Sequence, residues 1–100
     1  MSTYDADNPE HVKERKSSAR LVRQQELDDL RLLMTDARFR RFMWQLLSRC
    51  RIYQLSYTGD AAQTHFHEGM RQIGLATLAD VHKIAMEDYL RMVSEVRGNE

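Results

Sequence analysis

Six apolar side chains, Phe39, Phe42, Met43, Leu46, Leu47 and Cys50, recur at i, i+3, i+4, i+7, i+8 and i+11, and no other stretch restricts the chain's folding choices as tightly. At about 100° per residue these positions gather on one side of an α-helix, and an apolar stripe of that kind has to be buried. The run carries its own boundaries. Thr35 stands where an N-cap is expected, Asp36 follows where negative charge suits the helix dipole, and Arg49 and Arg51 place positive charge in the last turn. On the same helical wheel Trp44 falls away from the stripe, on the side that also carries Arg40 and Arg51. Trp and Arg are the residues most enriched at the energetic centres of interfaces, so Arg40, Trp44 and Arg51 are the candidate partner-binding residues. The structural alternative is that the first helix or the 52–57 loop covers the indole.

The flanking segments also read as helices. Asn8 can cap a helix and Pro9 fits its first turn. From Glu10 to Met34 there is no glycine or proline, and good helix formers dominate, which predicts one long helix. Leu27, Leu30, Leu33 and Met34 form an apolar stripe in its second half, whereas Val12 to Ser18 offers almost nothing to bury. A polar helix that buries little is marginal in water, so an ordered N-terminal half calls for a contact outside the core, and a symmetry mate is the simplest supplier.

Ile52, Tyr53, Leu55 and Tyr57 alternate with polar residues, but there is no second strand to pair with, so 52–59 reads as a loop laid over the core. Asp60 is a suitable N-cap for a third helix through Ala85, with Ala62, Phe66, Gly69, Met70, Ile73, Thr77, Val81 and Ile84 as its expected buried face. A mid-helix glycine costs about 1 kcal/mol relative to alanine. Gly69 and Gly74 therefore predict close packing, and Gly69→Ala is expected to destabilise. A last helix from Met86 to Val96 turns Met86, Tyr89, Leu90, Val93 and Val96 inward and ends at Gly98. The expected fold is all-α: a compact bundle of three long helices and a short C-terminal one, with an extended polar N-terminal helix. Residues 1–8 read as a flexible N-terminus, 9–97 as a single helical domain and 98–100 as a tail. Leu30, Leu33, Phe42, Leu46, Leu47, Phe66, Met70, Ile73, Val81 and Leu90 are the expected core.

Fifteen basic and fifteen acidic residues cancel, which removes any whole-chain field for nucleic acid or anionic membrane. Locally, Arg38, Arg40, Arg41, Arg49 and Arg51 face Asp36 alone across residues 35–56, so a phosphate-contacting helix 36–51 is the alternative to a protein-contact role. Against it, Arg38 and Arg49 lie on one flank of the apolar stripe and Arg40 and Arg51 on the other, bracketing the buried face with stems that cover apolar area. The single cysteine, Cys50, has no partner for an internal disulfide and suits a reducing compartment. No signal segment or spanning stretch is legible.

His65, His67 and His82 invite a metal reading, with Glu68 and Asp80 nearby. His65 and His67 are two apart, however, and point about 200° from each other on a helix, where chelation needs a spacing of three or four. No Gly-x-Ser-x-Gly turn or phosphate-cradling loop occurs. The chain reads as a non-enzyme without metal or cofactor.

Three segments carry a family likeness: Arg40-Arg41-Phe42-Met43-Trp44-Gln45-Leu46-Leu47 through Cys50, Tyr57-Thr58-Gly59-Asp60, and Thr64 to Leu75 with its Phe-x-Glu-Gly-x-Arg-x-x-Gly-Leu pattern. Over roughly residues 27–95 the chain resembles a group of small proteins encoded by tailed bacteriophages and prophages, among podophage head and packaging genes. The proline that often precedes the last helix in that group is replaced here by Ala85-Met86. The resemblance implies a phage origin and a role in the virion or its assembly, in the host cytoplasm or the particle, with the chain itself or other phage proteins as partners. It marks Asp60, Phe66, Glu68, Gly69, Arg71 and Gly74 as a motif. Arg71 is expected to reach the carbonyls of the 52–60 loop.

Overall fold

The computed structural model describes residues 8–53 and 59–98. Among the described residues there are four helices and no strand: α1 (Pro9–Leu33), α2 (Ala37–Arg49), α3 (Ala61–Ile84) and α4 (Met86–Gly98). The all-α expectation holds, and each boundary has a local cause. Asn8 Oδ1 accepts from the Glu10 amide at 2.9 Å to start α1. Asp36, and not Thr35, caps α2, with Oδ1 accepting from the amides of Arg38 at 2.7 Å and Phe39 at 3.3 Å. The Thr35 hydroxyl is engaged elsewhere, donating to the Leu32 carbonyl at 2.6 Å as α1 ends. Asp60 caps α3 as expected, accepting from the Gln63 amide at 3.0 Å.

The break between α3 and α4 falls at Ala85 without a proline. Its backbone leaves the helical region at φ −147°, ψ 43°. Even so, its amide donates to Val81 and its carbonyl accepts from Tyr89, each at 2.8 Å, so both groups of the break residue stay satisfied.

α1 packs on α3, α2 on both α3 and α4, and α3 on α4. Their shared core holds Met34, Leu47, Val81 and Met92 essentially out of contact with water, with Met43, Ile52 and Ala85 around them. Three methionines in so small a core fill space that branched side chains of fixed shape leave open.

Leu47 and Val81 are buried as expected, and Leu30 and Leu46 are half-buried against them. Met70 is half-buried. Leu33, Phe42, Phe66, Ile73 and Leu90 are not core residues at all; they are 48% to 68% exposed. α1 buries Leu27 and Met34 of its apolar stripe and half-buries Leu30, but in the other three helices the buried line is rotated from the most apolar line. α2 turns Arg40, Met43 and Leu47 inward, and α4 turns Met92 inward instead of Met86 or Leu90. In α3 the determining residue is Gly74. A Cβ there would lie 2.5 Å from Cys50 Cβ and 2.6 Å from Ile52 Cγ2, so only glycine permits this approach. With Gly74 and Val81 facing in, Ile73 is carried about 100° around the helix and Phe66 with it.

The molecule is extended, as the expected polar N-terminal helix reaching beyond the bundle requires. Its radius of gyration is 18.5 Å against about 13 Å for a compact domain of this length, and its principal extents are 60 × 39 × 19 Å. Every residue from Lys13 to Glu26 is exposed, and α1 engages the bundle through its second half, by the Arg23–Asp80 ion pair and buried Leu27. Among the described residues, no helix is long and apolar enough to cross a membrane.

Candidate functional site

Arg40 belongs to the interior. It stands three residues before Met43 and seven before Leu47, in line with the buried face, and is only 7% exposed. Its Nε donates to Glu95 Oε1 at 2.6 Å and its Nη1 to the Met34 carbonyl at 3.0 Å. One side chain thus ties the end of α1, the start of α2 and the last turns of α4 together, and Arg40 is an interior tie where the sequence pointed to a partner contact. A planar guanidinium suits this place because its donors fan out to several acceptors at once.

Trp44, one turn further on, is half-buried. Its indole stacks on Tyr53 with ring centroids 5.4 Å apart and planes at 26°, so the segment following α2 covers it in part. The Tyr53 hydroxyl lies 3.0 Å from that of Tyr89, and partial burial, helped by this bond, pushes the Tyr53 phenol above its ordinary value. Tyr89 in turn meets His82 edge-on at 4.4 Å. Trp44, Tyr53 and Tyr89 line a shallow pocket whose remaining wall is Val93, Val96 and Arg97 of α4. Arg51 sits at the turn that ends α2, with φ at 58° and its amide donating to Ser48 at 3.0 Å. Its Nε is buried with no hydrogen-bond partner among the described residues.

The other arginines of α2, Arg38, Arg41 and Arg49, fall at i, i+3 and i+11 and so share one exposed side of the helix. Arg38 pairs with Asp36 at 3.0 Å, and that bond, followed by the amide hydrogen bonds of the cap, lowers the Asp36 carboxyl to about 2. Arg41 and Arg49 are exposed. Among the described residues no three His, Cys, Asp or Glu side chains come close enough to hold a metal ion.

The α3 motif divides. Asp60 is a cap and Gly74 a close contact, both structural. Phe66, Glu68 and Gly69 face solvent, and a Cβ on Gly69 would meet nothing within 4 Å, so the expected clash at Gly69 does not exist. Arg71 is half-buried, with its Nε unpartnered among the described residues. Its expected acceptors in the 52–60 loop, like Leu55 and Tyr57 and the proposed flexible N-terminus up to residue 7, lie mostly outside the described residues.

Sequence reasoning missed the Arg40–Glu95 pair and the Tyr53–Tyr89 pair. The first had a signal, since Arg40 shares a helical line with Met43 and Leu47; the second joins residues 36 apart in the chain and had none. What remains outward is apolar: Phe42 on α2, Phe66 and Ile73 on α3, and Leu90 on α4. Fold and surface together define an extended all-α protein that leaves large apolar side chains exposed on all four of its helices. Residues 30–94 match the family model described as Bbp19-like phage protein, and the chain belongs to that family. Comparison with curated proteins and with solved structures returns no match.

Proposed function

We propose that this phage protein is a non-enzymatic structural or assembly component of the virion, acting through helix-mediated protein contacts and associating with copies of itself. The carrying observation is its exposed apolar surface on an extended body: Leu21, Leu32, Phe66 and Ile73 are 65% to 72% exposed, on helices that reach well beyond the small core. Scattered apolar residues are ordinary on a monomer, but large apolar side chains aligned along projecting helices mark contact surfaces. Family membership supplies the phage context. Two measurements test the reading. Mass spectrometry of purified particles and of assembly intermediates should find the protein, and its absence from both removes the structural role. Sedimentation at low and high salt, with and without DNA, should show self-association that salt barely changes. A complex formed only with DNA and lost steeply with salt overturns the reading in favour of phosphate binding by the α2 arginines.

A further inference from the structure

We propose that α3 pairs with the α3 of a second copy of this chain, antiparallel, through Ala62, Phe66, Gly69 and Ile73; this rests on the assembly reading above and gives it a partner and an orientation. These residues and Ala76 recur at intervals of four, three, four and three, the spacing of a two-helix seam. All five are exposed, and Gly69 has nothing within 4 Å of the place where a Cβ would stand.

The order of sizes selects the occupant and its direction. Along the seam, small and large alternate: Ala62, Phe66, Gly69, Ile73, Ala76. A parallel pair would set Phe66 on Phe66 and Gly69 on Gly69, crowding one layer and leaving the next empty. An antiparallel pair about a two-fold axis between His67 and Glu68 sets Phe66 on Gly69 of the second copy and Ile73 on its Ala62. The symmetry then repeats both contacts, so each of the four layers from Ala62 to Ile73 joins one large and one small residue, and Ala76 lies beyond the paired length. The alternative antiparallel register, centred near Arg71, would bring Ala62 against Asp80, whose carboxylate already holds Arg23 of α1. The seam's free length therefore matches the first register and not the second.

The flanks are compatible with self-pairing. A two-fold axis sets each flank against its own copy, where a row of like charges would repel. The flanking positions are Gln63, His65, Met70 and Gln72, which place Gln63 beside Met70 and His65 beside Gln72; Glu68 and Arg71 lie off the seam.

Sedimentation of the full chain and of its Gly69→Leu variant is the first test. The added side chain meets no described neighbour in the monomer, so helicity and melting temperature should be retained, while the seat for Phe66 is lost and dimerisation should weaken by roughly tenfold or more. Orientation is read in a Cys50→Ala background carrying either Ala62→Cys or Ile73→Cys. Oxidation should cross-link the mixture of the two variants, and neither alone, because like positions sit about 16 Å apart along the axis. A monomeric wild type at high concentration, a Gly69→Leu chain that dimerises as wild type does, or cross-linking of either variant by itself each overturns the proposal. Wild-type association that ignores Gly69→Leu removes the seam and leaves the assembly reading standing. Absence from particles and intermediates alongside a cross-linking seam removes only the assembly reading.

Discussion

The two halves of α3 both carry large apolar side chains and meet opposite fates. From Gly74 to Ile84 the helix is gripped: Cys50 and Ile52 press on Gly74, Arg23 reaches Asp80, and Val81 is fully buried. From Ala61 to Ile73 no described element covers the apolar line, and Phe66 and Ile73 stand 65% and 68% exposed. The difference does not lie in the residue types, since phenylalanine and isoleucine have more to gain from burial than glycine does. It lies in which half other parts of the chain reach. A helix needs only local hydrogen bonds to form, but its burial depends on segments arriving from elsewhere.

The contrast can be broken most sharply at Leu47, on the gripped side of the molecule. Leu47→Ala should cost about 2–5 kcal/mol, read from the midpoint of urea unfolding, because the side chain is wholly buried and the cavity has rigid helices on its sides. A smaller loss would mean that the core around Met43, Val81 and Met92 collapses to fill the gap.

Next in size is Gly74→Ala, for which the methyl group meets Cys50 and Ile52 at 2.5 and 2.6 Å. Relieving contacts that short requires a shift of backbone or of the β-branched isoleucine, and a loss of about 1–3 kcal/mol is expected in thermal unfolding. Gly69→Ala, at the same chemistry five residues earlier, should have the opposite sign, a gain of a few tenths to about 1 kcal/mol in the dilute monomer. Equal effects at the two glycines would remove the distinction between the halves of α3.

Phe42→Ala tests the same contrast on α2. A fully buried ring would cost about 3–5 kcal/mol, whereas a ring 52% exposed should cost about 1–2 kcal/mol in chemical denaturation. A loss at the upper figure would show that Phe42 is covered in solution, by a partner or by the chain.

The smallest effect concerns acid. Arg38 and the amides of the α2 cap hold Asp36 at about 2 in the folded chain, below its ordinary value of 3.8. A lowered carboxyl contributes stability that is complete above the unfolded value and lost as pH falls from there toward the folded one. The melting temperature should fall across that window, and Asp36→Asn, which keeps the cap acceptor without the charge, should flatten the fall. An unchanged slope would show that the exposed pair is screened into insignificance.

Particular residues show where sequence reading works. Asn8 and Asp60 marked helix starts because caps are satisfied by neighbours two or three residues away, and Ala85 marked a break even without a proline. Apolar periodicity puts Gly69 on the buried face of α3 and leaves Gly74 at its edge; the structure reverses the two, because Cys50 and Ile52 arrive at Gly74. Of the candidate contact residues, Trp44 is partly covered by Tyr53 and Arg40 is enclosed by Met34 and Glu95, through contacts that no helical wheel contains.

By itself, then, the sequence determined the class of fold, the four helices of the described residues with most of their starts, and the phage family, all of which depend on periodicity, capping chemistry or a local residue pattern. Only the tertiary structure decided which of several apolar lines on each helix faces the core and which is left for contact. That choice is collective. A small core accepts one line per helix, and close approach at Gly74, adaptable methionines and the Arg40–Glu95 tie outweighed the larger side chains Phe42, Phe66 and Ile73.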